Sequence, residues 1–131
     1  MAVADSTVPS FTSPEITRLR LAYMAVAMRD PNLVHMEDEY AKKSGLPRVI
    51  AHGTFAVAYV GSALSQAVGI GRVRRVKVVL TAPVFPQDII SVAYTDIQTN
   101  GGITTARISA NNQSGTLVAR GEATWLTNPS R

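Results

Sequence analysis

The sequence predicts an α+β domain in which one antiparallel sheet curls around a single long helix. Two observations carry that expectation. From Thr54 to Val68 the chain reads "TFAVAYVGSALSQAV", apolar on nearly every helical side. A helix apolar all round is a buried helix. After Gly71 the pattern changes to period two, and four strand-like runs follow: "VRRVKVVLTAPVF", "DIISVAYTDIQT", "ITTARISANN" and "TLVARGEATWL". Turn residues separate them at Pro86-Gln87-Asp88, at Asn100-Gly101-Gly102, and from Asn111 to Gly115. The economical packing of one buried helix and at least four antiparallel strands is a sheet wrapped around the helix.

Each element can be justified in chain order. Residues 1–10 are small and polar with a proline, and are expected to fray ahead of one domain spanning 11–131. A first helix should begin near Ser13, which can cap it, with Pro14 in the first turn and Glu15 at the positive end of the dipole. Ile16, Leu19, Tyr23, Val26 and Ala27 recur at helical spacing, and Pro31 stops the helix near Arg29 or Asp30. A turn and a short amphipathic helix follow, with Met36, Tyr40 and Lys43 along one side and Glu37, Asp38 and Glu39 in its first turn. Gly45 and Pro47 end it. Gly53 opens the buried helix, where Ala56, Ala58, Gly61, Ser62 and Ala63 would let strands approach closely. In the last run Leu117, Ala119, Gly121, Ala123 and Trp125 share one face, while Arg120, Glu122 and Thr124 share the other, as in a sheet wet on one side.

Composition narrows the function classes. The chain has 131 residues, 46% apolar and 17% charged, which suits one folded domain with one core. It has no cysteine, so thiolate nucleophiles, disulfides and Cys-ligated metals are excluded. No basic start followed by an apolar run marks a signal peptide, and the most apolar stretch is too short to span a bilayer. A cytoplasmic protein is the expectation, with no membrane partner. The net charge of +4 owes part of its excess to Arg72, Arg74, Arg75 and Lys77. That run alternates as a strand does and has no interleaved aromatics, which argues against nucleic acid. It is a solvated face or a contact for a phosphate-bearing small molecule or an acidic carrier protein.

Chemistry gathers in "RDPNLVHMEDEYAKKSGLPRVIAHG", Arg29 to Gly53, which holds both histidines, His35 and His52. Histidine is the side chain suited to giving or taking a proton under physiological conditions, which makes His35 a candidate. Asp30 lies five residues upstream across a proline turn and can orient His35 or share the proton work. The free N–H of Gly53, at the start of the long helix, suits an oxygen that gains negative charge. Acid, base and oxyanion donor are what proton removal beside a carbonyl needs. The same residues also fit a plain turn, since Asp and Asn are common in turns for local reasons. His52 fits a capping or packing role. No His-x-x-x-His spacing supports a metal.

The same stretch closely resembles the signature of the MaoC-like (R)-specific enoyl-CoA hydratases and dehydratases. In that family an Asp, an Asn two residues later and a His five after the Asp precede a short helix. A segment ending in His-Gly then opens the central helix. Asp30, Asn32, His35, His52 and Gly53 match, and "VKVVLTAPVFPQD" resembles the family's later "F-x-x-P-V-F-x-G-D" segment. The resemblance runs from about residue 15 to residue 126.

It implies the hot dog fold, usually as dimers with thioester bound at the subunit interface. It also implies hydration of trans-2-enoyl thioesters to (R)-3-hydroxyacyl thioesters, or the reverse, as in fatty acid metabolism. No metal or redox cofactor is implied, because the CoA or acyl-carrier portion belongs to the substrate. Asp30 and His35 would activate water, Gly53 would hold the thioester oxygen, and Asn32 would order the loop. The partner would be a second copy or an unlike hot dog subunit. A thioesterase on the same fold is the rival activity.

The chain departs from the family in places. Met28-Arg29 stand where a small residue and Gly are usual, Pro31 follows Asp30 directly, and Leu33 occupies the usual proline position. Gly61 falls where some relatives carry a serine, with Ser62 next to it, and Gln87 replaces a Gly before Asp88.

Overall fold

A computed structural model describes residues 8–127. The sheet has five antiparallel strands: β1 (Phe11–Thr12), β2 (Val73–Leu80), β3 (Ser91–Asn100), β4 (Ile103–Asn111) and β5 (Leu117–Leu126). Their order is β1-β3-β4-β5-β2. Hairpins join β3 to β4 and β4 to β5, while β2 returns to the far edge beside β5. The long helix α3 (Thr54–Val68) lies in the hollow of this sheet. Phe55, Ala56, Val60, Ala63 and Leu64 of α3 pack into one cluster with Val92, Ala106, Ile108, Ala110, Ala119, Ala123 and Trp125. This is the sheet around a helix that the chain's pattern predicts, and the hot dog architecture that the family resemblance implies. The frayed start expected for residues 1–10 falls mostly on residues 1–7, which lie outside the described residues.

The turn chemistry explains the hairpins. Gly101 and Gly102 both take positive φ, 60° and 78°, which closes the two-residue β3–β4 loop. The β2–β5 pairing depends on Gly121, because a Cβ there would collide with the backbone carbonyl of Lys77. Strand β3 bulges between Thr95 and Gln98, with Asp96 at φ 51°. On β5 the face read from the sequence holds for Ala119, Ala123 and Trp125, but Leu117 is exposed and Val118 is buried instead. The β4–β5 register shifts at Asn111, which offsets the alternation at that end.

Three expectations need correction. Helix α1 runs Arg18–Ala27, and its N-cap is Thr17, whose side chain accepts from the Arg20 N–H. Ser13 instead clasps the sheet: its Oγ accepts from the Ile90 N–H at 2.9 Å, and its own N–H donates to Ile90 O at 2.8 Å. Within α1 the buried residues are Leu21 and Ala25, while Leu19, Tyr23 and Val26 are exposed. Nearly every position of this helix is apolar, so periodicity alone did not single out the inward face. Helix α2 is short, Asp38–Lys43, and buries Ala41, leaving Met36 and Tyr40 exposed. Lastly, α3 is covered on one side only. Val57, Ala58 and Ser62 remain exposed, because the single sheet wraps only part of its circumference. Among the described residues no helix is long and apolar enough to cross a membrane.

Candidate active site

The site begins where α1 ends. The Arg29 N–H donates to Val26 O at 3.2 Å and the Asp30 N–H to Ala25 O at 2.9 Å. These two bonds form a Schellman motif, whose C′ residue must be left-handed. Arg29 fills that position at φ 51°. A non-glycine residue there costs about 1–2 kcal/mol. The turn throws Asp30 outward, with half of its side chain exposed. Pro31 bars further helix. Asn32 then starts a 3-10 turn, Leu33–His35, its Oδ1 accepting from the Val34 N–H at 3.0 Å. Asn32 thus caps the short turn that ends in His35.

His35 is held by its inner nitrogen. Nδ1 lies 2.7 Å from Ile50 O, and a carbonyl only accepts, so Nδ1 carries the proton. In the neutral ring Nε2 therefore has a free lone pair. It faces Asp30 Oδ2 at 3.7 Å, a gap too long for a direct hydrogen bond. The His35 ring is nearly buried and stacks on His52, with centroids 3.7 Å apart and planes 24° apart. His52 is fully enclosed, and its Nε2–H donates to Asp30 O at 3.0 Å. His52 thus fastens the start of α3 to the main chain of the acid. Its Nδ1 is buried without a hydrogen-bond partner among the described residues.

Asp30, His35 and His52 bring ligand atoms within 4.8 Å of one another, which raises a metal. The donor set fits one poorly. The His52 nitrogen facing Asp30 carries a proton committed to Asp30 O, and the two rings are stacked face to face, not splayed toward a shared centre.

Gly53 precedes α3 with helical backbone, φ −55° and ψ −27°. Its N–H has no partner among the described residues and lies at the positive end of a 15-residue helix. A Cβ at Gly53 would strike Leu80 Cδ1. A cavity of about 380 Å³ opens here, lined by Ile50, His52, Gly53, Ala56, Leu80 and Pro83 among others. Its walls are mostly apolar, with His52, Gly53 and Thr81 among them.

Two further acids hold this region, and sequence reading missed both roles. Asp38 accepts from the Val49 N–H at 3.0 Å and from Arg18 at 2.7 Å. The Val49 N–H, and after it the Arg18 guanidinium, hold the Asp38 carboxyl below the usual carboxylate range. Asp38 thereby ties α1 and α2 to the segment that carries Ile50 O and His52. Asp88 is buried, and its oxygens accept from the Phe85 N–H and Gln113 Nε2, each at 2.9 Å. Asp88 closes the segment that resembles the family's later motif and Asp38 lies in a helix's first turn, but neither placement pointed to these hydrogen bonds.

The other residues singled out from sequence lie apart from the cluster. Ser62 sits on the exposed face of α3, more than two turns past Gly53. Arg74 folds back on its own loop, donating to Gly71 O at 2.9 Å and Val73 O at 3.2 Å. Arg75 is exposed on the β2 edge.

Known proteins share this architecture. The unliganded R-hydratase PhaJ1 from Pseudomonas aeruginosa superposes with a TM-score of 0.80 at 22% identity, covering 99% of this chain and 84% of that one. An (R)-hydratase from A. caviae involved in PHA biosynthesis gives 0.80 at 21% identity, covering 97% of this chain and 100% of that one. A chain of the ChsH1–ChsH2 complex from Mycobacterium tuberculosis gives 0.79 at 18% identity, covering 98% and 100%. At these identities the likeness speaks for the fold. No curated protein sequence matches this chain closely enough to count as a relative. The family model described as "MaoC like domain" matches residues 7–115, which span every residue of the Asp30/His35/Gly53 cluster. The chain belongs to the MaoC-like dehydratase family.

Proposed function

We propose that this chain is a hydratase/dehydratase interconverting trans-2-enoyl and (R)-3-hydroxyacyl thioesters. One observation carries the reading. A free carboxylate oxygen and a free imidazole lone pair, Asp30 Oδ2 and His35 Nε2, face each other across 3.7 Å, and the His35 ring stacks on His52, whose neighbour Gly53 offers an unpartnered helix-start N–H. A water placed between them can donate to both. His35 Nε2 takes one proton while the oxygen adds to C3 of the enoyl thioester. Charge then gathers on the thioester oxygen, where the Gly53 N–H and the α3 dipole receive it. The proton returns through the pair to C2, so the net change is addition of one water across the double bond. Dehydration runs the same steps backwards. The apolar cavity beside Gly53 takes part of the thioester, and Asn32 and His52 hold the loop and the acid in place.

The test is a panel of enoyl-CoA substrates, followed by loss of the conjugated thioester absorbance. Release of free thiol instead would favour a hot dog thioesterase. Handles on CoA and on a carrier protein are both compatible with this site.

A second subunit belongs to this reading. Val76, Val79 and Leu80 of edge strand β2 are 36%, 37% and 50% exposed, and Val57 on α3 is exposed as well. Leu80 also lines the cavity. Pairing β2 with another hot dog chain would cover this edge and wall the cavity. The partner is a second copy or an unlike subunit. Activity that appears only on adding an unlike hot dog chain decides for the latter.

A further inference from the structure

We propose that Arg29 is a specificity-determining residue that reads a carboxylate on the acyl portion of the substrate. The inference rests on the hydratase reading above. Its first support is conformational. Arg29 occupies the left-handed C′ position of α1 at φ 51°, where glycine fits without strain. A side chain kept at such a position invites a functional explanation. Its second support is chemical. Arg29 is exposed and, among the described residues, makes no ion pair, although it is bonded directly to Asp30. Its planar guanidinium matches a carboxylate through paired N–H donors.

Location decides which part of the ligand it meets. With the thioester oxygen assigned to the Gly53 N–H and C3 to the Asp30/His35 pair, the proposal puts the acyl chain beyond C3 on the side of Asp30, whose neighbour in the chain is the exposed Arg29. On the same placement the pantetheine arm, with the handle's phosphates at its far end, leaves on the Gly53 side, away from Arg29. Three exposed apolar side chains flank the acid in sequence, Met28 at 49%, Leu33 at 38% and Met36 at 40%. Methylene carbons between C3 and a terminal carboxylate have apolar neighbours there, and the carboxylate has Arg29.

The experiment compares two substrates that differ only at the far end, trans-2-hexenoyl-CoA and trans-2-hexenedioyl-CoA. The wild-type chain should favour the dicarboxylic one in kcat/KM. Arg29→Gly should cut that preference by roughly 10-fold or more, as expected for a lost charge-assisted pair. Arg29→Lys keeps the charge and the backbone strain but not the fork, and should fall between. The Tm of Arg29→Gly should match or exceed wild type by up to about 4 °C, because the left-handed strain is relieved. A falling Tm would assign Arg29 to the fold and overturn the proposal. A preference unmoved by Arg29→Gly overturns it while leaving the hydratase reading intact. An equal loss on both substrates that disappears with N-acetylcysteamine thioesters assigns Arg29 to the handle's phosphates, which also overturns it. A wild-type chain that hydrates neither substrate, alone or with an unlike hot dog chain added, and is not stabilised thermally by either, rejects both readings.

Discussion

Asp30 and Asp88 make an instructive pair. Each follows a left-handed residue that is not glycine, Arg29 at φ 51° and Gln87 at φ 79°. Each sits where a turn hands the chain on to the next element. Their surroundings are opposite. Both oxygens of Asp88 are taken by N–H donors inside the protein, and the residue is 4% exposed. Asp30 leaves half its side chain in the open, with one long contact at 3.4 Å from the Asn32 N–H and imidazole nitrogens at 3.7 and 4.0 Å. A carboxylate whose lone pairs are filled by the fold stabilises the fold. One whose lone pairs are left unfilled can serve a substrate.

The largest expected effect is on the open acid and its histidine. Asp30→Asn and His35→Ala should each lower hydration of crotonyl-CoA by at least roughly 10²-fold, with far-ultraviolet circular dichroism unchanged. Full activity in either variant rejects the catalytic assignment. The closed acid should behave in reverse. Asp88→Ala strands the Phe85 N–H and the Gln113 amide, and should cost about 2–3 kcal/mol in urea unfolding. A neutral result would mean that water replaces the carboxylate and that the contrast fails.

Gly53→Ala lies between the two. Its methyl meets Leu80 Cδ1, the tip of a half-exposed and adjustable side chain. About 1 kcal/mol of stability should be lost, and KM should rise as the cavity narrows. A KM equal to wild type would take Gly53 out of the substrate's path.

The smallest effect belongs to Asp38. Its carboxyl is depressed below the ordinary 3.8, so its contribution is fully present above that value and is lost as pH falls through the lower folded value. The Tm gap between wild type and Asp38→Asn should hold at neutral pH and close on acidification below about 4. A gap that widens there has the wrong sign.

The order of elements was legible because period two and an all-apolar helix are strong patterns. Three of the turns were legible too, since Pro86, Gly101 and Gly115 announce them. Inward faces were harder. In α1 apolar residues crowd several sides, and only tertiary contact selects Leu21 and Ala25 over Leu19 and Tyr23. The same uniform apolarity made α3 read as buried all round, whereas its Val57 face is open. At the site, the spacing of Asp30 and His35 suggested their meeting. The tautomer did not follow from spacing, because it depends on Ile50 O, fifteen residues away. Nor did the main-chain bond from His52 to Asp30, which spans 22 residues.

The His35–His52 stack makes this site observable without a substrate. Each imidazole lies in the shielding cone of the other, so the carbon-bound ring protons of both should resonate upfield of free histidine. The chain has only these two histidines, so their signals form a short, assignable set. Adding a proton to His35 Nε2, filling the gap to Asp30 with ligand, or tilting one ring would each move those lines. The stack thus gives the resting enzyme a spectroscopic signature through which protonation and ligand arrival can be followed separately from turnover.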